Sequence, residues 1–496
     1  MILDRIKESV CDAPLQTAVH SQEGDITYKE LWDSSDSLAA YMSGNIKNHF
    51  PVIVYGHKAP LMITAFLACA KSGRAYCPVD TSMSGERIAD IVNTVGEAVV
   101  IITADEYDEK IWPENAHIID KKTTEKICAA GDTVPESEWL GGGEVFYIIF
   151  TSGSTGKPKG VQITNSNLSA FAEWSSDLGG PRAEKRYGTY INQAPFSFDL
   201  SVMDLYTSLT NCCRLWCIGK SLQSDHEALL QYIKQGCPDF WVSTPSFANL
   251  CLADHEFSDA LMPDMKVFYF CGETLNKDTA ARLRERFPRA AVVNTYGPTE
   301  STCAVTGTVI TAEMLKDPRP LPIGTVKPGT EIAICNNEII ISGDSLSPGY
   351  LNDPQKTKAA FFTADGGMRS YHTGDAGYFD GDMLYYEGRI DMQIKYHGYR
   401  IELSDIESNL MALDGVLEAA VVPDCREDRI RNIAAFIISG KYGDVFEDRQ
   451  EIRKGLRNRL PVYMVPKIIK FTDAFPMTGN GKIDRKALQK IIQEVD

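Results

Sequence analysis

Apolar residues fall in short runs separated by amphipathic stretches from the start of the chain. Asp25-Ile26-Thr27 reads as a strand end, and Thr27 with Glu30 three residues on forms a capping box that opens a helix through Tyr41. Val52-Ile53-Val54-Tyr55, Tyr76-Cys77-Pro78-Val79-Asp80 and Ala98-Val99-Val100-Ile101-Ile102 read as strands, with helices from Leu61 to Ser72 and from Ile88 to Val95 between them. After Tyr147-Ile148-Ile149-Phe150 the alternation continues. Val161-Gln162-Ile163 is a strand, a helix starts at Asn165, and Tyr190-Ile191-Asn192, Phe240-Trp241-Val242-Ser243, Val267-Phe268-Tyr269-Phe270 and Ala291-Val292-Val293-Asn294 are interior strands. Alternation of this kind predicts a layered α/β protein whose strand ends carry the ligand sites. Around Glu331-Ile332-Ala333-Ile334 and Glu338-Ile339-Ile340-Ile341-Ser342 the pattern turns to short ribbons with glycine turns, which predicts a β-rich subdomain. The tail reads as a small α+β unit. Its strands are Gln393-Ile394-Lys395, Ala419-Ala420-Val421-Val422 and Ile433-Ala434-Ala435-Phe436-Ile437-Ile438, its helices run from Ser404 to Leu413 and near Asp448 to Leu460, and Met477 to Lys486 is a polar glycine turn.

At 496 residues with 44% apolar content, the chain exceeds what one hydrophobic core serves, so at least two domains are expected. Fifty basic against 67 acidic residues give a formal charge of −17, which argues against general affinity for nucleic acid or anionic lipid. Charges in Met1-Ile2-Leu3-Asp4-Arg5-Ile6-Lys7-Glu8 sit where a signal peptide has its apolar core, and no apolar run reaches membrane length. These features predict a soluble, cytoplasmic protein without stable membrane insertion. Thirteen cysteines, including Cys212, Cys213 and Cys217, lack paired Cys-x-x-Cys spacing, and eight scattered histidines form no His-Glu-x-x-His; reduced core thiols and no zinc site are expected.

The strand at Tyr147 runs into Thr151-Ser152-Gly153-Ser154-Thr155-Gly156-Lys157-Pro158-Lys159-Gly160, a loop of hydroxyls, glycines and lysines suited to holding phosphates. It is not a Walker loop, because Lys157 is followed by Pro158 rather than by Ser or Thr. An ordinary glycine-serine loop is the alternative. Further along lie Asn294-Thr295-Tyr296-Gly297-Pro298-Thr299-Glu300, Tyr371-His372-Thr373-Gly374-Asp375, Gly388-Arg389-Ile390-Asp391 and Asn480-Gly481-Lys482-Ile483-Asp484. In this order the stretches resemble the motifs of the adenylate-forming superfamily. Asn192-Gln193-Ala194-Pro195-Phe196-Ser197-Phe198-Asp199-Leu200-Ser201 and Phe270-Cys271-Gly272-Glu273 resemble, within it, the D-alanyl carrier protein ligases, over nearly the full length.

The resemblance implies a large N-terminal adenylation domain over residues 1–390 and a small mobile lid over residues 391–496, with Asp391 as hinge. It implies ATP and Mg²⁺ as cofactors. Thr151 and Ser152 would hold phosphates, Asn294 and Tyr296 the adenine, Asp375 and Arg389 the ribose, and Glu300 and Thr299 the metal and a phosphate, with Thr295, Gly297, Pro298 and Tyr386 also at the ATP site. Lys482 would be the catalytic lysine bridging the substrate carboxylate and the α-phosphate; a surface lysine in a glycine turn is the alternative.

Asp199, flanked by Phe196, Phe198 and Leu200, is either a solvated loop charge or the counter-ion of a buried ammonium, and the second reading points to an amino acid. Cys271 with Leu200 and Met203 would leave space for little more than a methyl, and Cys303 stands where the family usually carries valine. The implied activity is D-alanine activation to D-alanyl-AMP and transfer to the phosphopantetheine thiol of a carrier protein acting in trans, as the first step of lipoteichoic acid D-alanylation, by a monomer. Alternatives are a free-standing nonribosomal-peptide-type adenylation enzyme for another small amino acid and a non-catalytic nucleotide-binding paralogue.

Overall fold

The computed structural model describes residues 1–496 except 98, 114–115, 153–156, 365, 391–392, 427–428, 444, 478–482 and 494–496. Local chemistry sets many element ends. Thr27 and Glu30 exchange backbone hydrogen bonds of 3.2 and 2.8 Å at the start of helix Tyr28–Asn45, and Thr164 and Asn167 repeat the device at helix Asn165–Asp177. Pro60, whose missing N–H costs nothing in a first turn, begins helix Pro60–Lys71. Two helices depart from the sequence expectation. Ile2–Asp12 forms because Ile2, Leu3 and Ile6 make one buried stripe, and Arg485–Gln493 starts in the last two residues of the expected turn, Met477 to Lys486, and continues beyond it. In the latter, the Asp484 carboxylate caps the Ala487 N–H at 3.0 Å, while Leu488 and Ile492 pack on Ala420, Val422, Ala434 and Phe436.

Three sheets make up the larger part. A nine-stranded sheet runs in the order Thr325–Val326, Thr306–Val309, Ala291–Tyr296, Val267–Phe270, Phe240–Ser243, Thr189–Asn192, Arg214–Cys217, Thr17–Ser21, Gly24–Thr27. From Ala291–Tyr296 to Thr17–Ser21 its neighbours are parallel; Ser243, Phe270 and Asn294 come level at one edge, and Asn192 lies one residue back, opposite Val242. A seven-stranded sheet contains Val145–Thr151 between Lys159–Thr164 and Tyr76–Asp80. Buried apolar residues of both sheets share one core. The β-rich part is a five-stranded sheet in which Arg369–Asp380 pairs with Glu338–Gly343, Phe361–Thr363 and Met383–Arg389.

The tail has its own core around Ile401, Ile406, Leu410, Val421, Ile437 and Ile452, against a three-stranded sheet of Val416–Arg426, Arg429–Ser439 and Ile468–Phe471. A hairpin of Gln393–Tyr396 and Tyr399–Glu402 projects from it toward the larger part. Its turn needs His397 at φ +52° and Gly398 at φ +81°; a Cβ on Gly398 would lie 2.5 Å from Thr244 Cγ2, so only glycine fits where the tip meets the nine-stranded sheet.

Candidate active site

The parallel strand ends of the nine-stranded sheet meet the strand leading into the phosphate-type loop, and the site lies between them. Asp199 stands immediately before helix Leu200–Leu209, and its Oδ2 accepts a 2.6 Å hydrogen bond from Thr299 Oγ1. Burial pushes its carboxyl above the ordinary carboxylate range, against the opposing pull of Thr299, Lys395 and Arg400. Asp199, Leu200, Cys271, Thr299 and Cys303 line a cavity of about 40 Å³, far too small for a fatty acid. Met203 is buried nearby but is not among the residues lining this cavity. Cys271 Sγ lies 3.7 Å from the Cys303 carbonyl oxygen, and the two thiols face each other.

The nucleotide motif follows from strand Ala291–Tyr296. Asn294 donates through Nδ2 to the Pro322 carbonyl at 2.8 Å, leaving its oxygen to accept, and with Tyr296 and Tyr386 it lines a neighbouring cavity of about 30 Å³. Thr295 Oγ1 is tied to the Phe270 carbonyl at 2.8 Å. At Gly297 a Cβ would meet Ala304 Cα at 2.6 Å, which lets the loop turn back toward Pro298 and Thr299. Asp375 uses both carboxylate oxygens: Oδ2 accepts from Tyr296 OH at 2.6 Å and Oδ1 from Arg389 Nη1 at 2.8 Å. Tyr296, Asp375 and Arg389 are therefore one bonded unit, an arrangement that ribose hydroxyls could enter by exchanging with the phenol.

Glu300 is fully buried at the centre of a charge cluster. Its carboxylate accepts from Arg400 Nη1 at 2.5 Å and Tyr350 OH at 2.9 Å, with Lys159 Nζ at 3.4 Å. Burial alone would raise its pKa, yet Arg400 and Lys159 hold it well below the usual carboxylate range. A buried carboxylate balanced by cations fits a divalent ion, provided that Arg400 makes way.

Of the phosphate-type loop, Thr151 and Ser152 are described and residues 153–156 lie outside the described residues. Thr151 Oγ1 is buried without a hydrogen-bond partner among the described residues, while its carbonyl accepts from Arg87 Nη2 at 3.2 Å. Ser152 Oγ donates to the Arg400 carbonyl at 2.7 Å and accepts from the Glu402 N–H at 3.1 Å. The hairpin therefore engages the hydroxyl of Ser152 and the carboxylate of Glu300 together.

Sequence reasoning did not single out the hairpin residues Lys395 and Arg400, nor Tyr350 and Arg87, and it gave Lys159 only as a charge of the phosphate-type loop, not as a partner of Glu300. One signal was available: alternation in Gln393-Ile394-Lys395-Tyr396 buries Ile394 and Tyr396 in the tail core and turns Lys395 the other way, opposite Arg400 in register. The expected catalytic lysine Lys482 and hinge Asp391 lie outside the described residues. Arg485, which opens helix Arg485–Gln493, donates to Glu407 Oε1 and to the Val421 carbonyl at 2.8 Å, which ties that helix to the rest of the tail.

Comparison with known proteins agrees with this geometry. The family model described as AMP-binding enzyme matches residues 6–351, and that of the AMP-binding enzyme C-terminal domain matches residues 405–482. A D-alanine–D-alanyl carrier protein ligase from Bacillus licheniformis is 41% identical over 509 residues, covering 99% of each chain. One of the same name from Bacillus mycoides is 40% identical over 512 residues, covering 100% of this chain and 99% of the relative. Among solved structures, the Vibrio cholerae adenylation domain AlmE in complex with glycyl-adenosine-5′-phosphate matches with a TM-score of 0.82 at 22% identity, over 99% of this chain and 98% of that one. An o-succinylbenzoate CoA synthetase from Bacillus subtilis matches with a TM-score of 0.83 at 19% identity, over 98% of both chains. These two show the fold. With both family models matched in order and near full-length relatives at this identity, the chain belongs to the AMP-binding enzyme family.

Proposed function

We propose that this enzyme is an AMP-forming ligase that activates D-alanine with ATP as D-alanyl-AMP and passes the acyl group to the phosphopantetheine thiol of a carrier protein. The observation that carries the reading is the cavity of about 40 Å³ with Asp199 on its wall, next to the cavity lined by Asn294, Tyr296 and Tyr386. A carboxylate there pairs with an ammonium, and the small volume favours a methyl side chain. The near full-length ligase relatives support the choice of D-alanine.

ATP would lay its adenine by Tyr296 and Tyr386, its ribose at Asp375 and Arg389, and its phosphates at Thr151 and Ser152. Mg²⁺ held at Glu300 would supply charge neutralisation to those phosphates. Lys482 would bring the second cation for attack of the carboxylate on the α-phosphate. The described pose, with Arg400 on Glu300 and the hairpin on Ser152, suits the second half-reaction, since it takes up the groups that MgATP requires. A swing about Asp391, at the boundary between residues 1–390 and 391–496, would exchange the two poses.

A second reading, an adenylation enzyme for another small amino acid, draws on Cys303, whose thiol replaces the branched side chain expected beside Cys271. Amino-acid-dependent ATP–pyrophosphate exchange with D-alanine, L-alanine, glycine and D-serine separates the readings. D-alanine should give the highest kcat/KM; an L-amino acid or a fatty acid doing better would overturn the assignment.

A further inference from the structure

We propose that Cys271 and Cys303 are a reversible dithiol: hydrogen peroxide oxidises them to a disulfide that shuts the amino-acid cavity, and a small thiol reopens it. The effect on catalysis rests on the reading of that cavity above, whereas the chemistry of the pair stands apart from it. Thirty-two positions separate the two cysteines, and the fold brings them together. Cys271 directly follows strand Val267–Phe270, and Cys303 lies just past the turn Thr299–Ser301 that follows the neighbouring parallel strand Ala291–Tyr296. Cys271 Sγ is 3.7 Å from the Cys303 carbonyl oxygen, and the two thiols are hydrogen-bonded to each other. Thr302 and Cys303 have φ of +63° and +67°, uncommon for residues with a side chain, and Thr302 Oγ1 is tied to the Ser345 carbonyl at 2.8 Å. The turn thus presents the second thiol from a constrained backbone.

Reactivity and access distinguish this pair from the other buried thiols. Burial pushes Cys69, Cys213, Cys217 and Cys251 up to about 12, where a thiol is inert. Cys271 moves the other way, because the Cys303 thiol donates to it and Lys395 adds positive charge against the pull of burial. Cys303, which keeps the shared proton, is raised by the same bond and by burial. One thiol is thereby the nucleophile and the other its resolving partner. Both line the cavity of about 40 Å³, whose wall shares Arg389 and Lys395 with an open channel of about 660 Å³. A molecule as small as peroxide reaches them by that route.

In the first step Cys271, its proton given up to water, attacks one peroxide oxygen; the S–O bond forms, the O–O bond breaks, and the hydroxide released takes that proton and leaves as water. Cys303 sulfur then attacks the sulfur of the Cys271 sulfenic acid. The S–S bond forms, the S–O bond breaks, and the Cys303 proton leaves with the hydroxyl as a second water, so two thiols are oxidised by two electrons and one peroxide is reduced. A disulfide holds its sulfurs about 2.05 Å apart, far inside the contact distance of two thiols, so this wall of the cavity is drawn together. Cys303 follows the turn that carries Thr299, whose hydroxyl holds Asp199, and the same pull reaches the partner of the substrate ammonium. The cavity lined by Asn294, Tyr296 and Tyr386 includes neither cysteine among its described residues, so nucleotide binding is spared.

The test treats wild type and Cys303→Val with a small molar excess of hydrogen peroxide, without substrates, and follows ATP–pyrophosphate exchange with whichever amino acid the wild type adenylates. Each protein is scored against its own untreated rate. Wild-type exchange should fall at least about tenfold and return to within about twofold after dithiothreitol, while Cys303→Val keeps its rate within about twofold throughout. Peptide mass spectrometry of the oxidised wild type without reductant should find the Cys271 and Cys303 peptides linked, with Kd for ATP unchanged. An equal loss in Cys303→Val would overturn the proposal, because it would place the damage at another thiol, such as exposed Cys11, Cys237 or Cys335. Absence of the linked peptide would overturn it as well, and so would linkage with full exchange. A wild type that adenylates an acid other than D-alanine would overturn the substrate reading alone, since the linked peptide forms without substrate.

Discussion

Asp199→Asn isolates one charge. The amide oxygen still accepts from Thr299 Oγ1, so the 2.6 Å hydrogen bond survives while the partner of the substrate ammonium disappears. Two unit charges about 3 Å apart attract by about 5 to 6 kcal/mol at an effective dielectric constant of about 20. Desolvation offsets part of this, and breaking a buried pair costs about 3–5 kcal/mol. That corresponds to a loss of between roughly a hundredfold and a few thousandfold in kcat/KM for D-alanine. Exchange assays should show it as a raised KM for D-alanine with KM for ATP unchanged. The control is D-lactate, the same size with a hydroxyl in place of the ammonium, for which the variant and the wild type should agree within a few-fold. An equal loss for D-lactate would refute the reasoning, because it would mean that Asp199 shapes the cavity and does not pair with charge. pH supplies a second check. Burial raises the Asp199 carboxyl, and only the carboxylate holds an ammonium, so wild-type KM for D-alanine should climb as pH falls, from a pH above the ordinary carboxylate range. Asp199→Asn should lack that climb.

Lys482→Ala is expected to lose pyrophosphate exchange by at least about a hundredfold while transfer from supplied D-alanyl-AMP stays near normal. Asp391→Pro, by fixing φ at the expected hinge, should spare adenylate formation more than transfer; parallel loss would argue against a hinge there. Asp204 is fully buried, accepts from Asn192 Nδ2 at 2.9 and 3.0 Å, and burial pushes its carboxyl up to about 8. The fold therefore keeps a proton that the unfolded chain releases near its ordinary pKa of about 4, so stability from this group is present at low pH and declines as pH rises toward 8. Thermal melts of Asp204→Asn should be flatter than wild type between about pH 5 and pH 8, and parallel curves would count against the assignment.

The sequence carries local information well and long-range pairing poorly. The capping box of Thr27 and Glu30 and the strand ending in Asn294 were legible because each depends on residues a few positions apart. So was the grouping of Asn294, Tyr296 and Thr299, which one strand end and its loop deliver together. Glu300 could be picked out in the sequence as a metal-site candidate, but its partners could not: Arg400 is 100 residues away and Tyr350 is 50, and no periodicity links them. Helix Arg485–Gln493 was hidden for a different reason, since the glycine-rich turn ahead of it masked a stripe of only two apolar residues.

The cluster at Glu300 bears on how the tail can move at all. A carboxylate with no exposed surface cannot be left bare in the core at any moment of a cycle without a cost of several kcal/mol. In the proposed cycle it never would be, because Glu300 would hold a divalent ion in the pose that Arg400 vacates, and that ion would supply the positive charge that Arg400 supplies here. Domain rotation would then be a counter-ion exchange about a fixed negative charge, and Lys159, whose Nζ lies 3.4 Å from Glu300 on the larger part of the molecule, would carry the balance through the crossing.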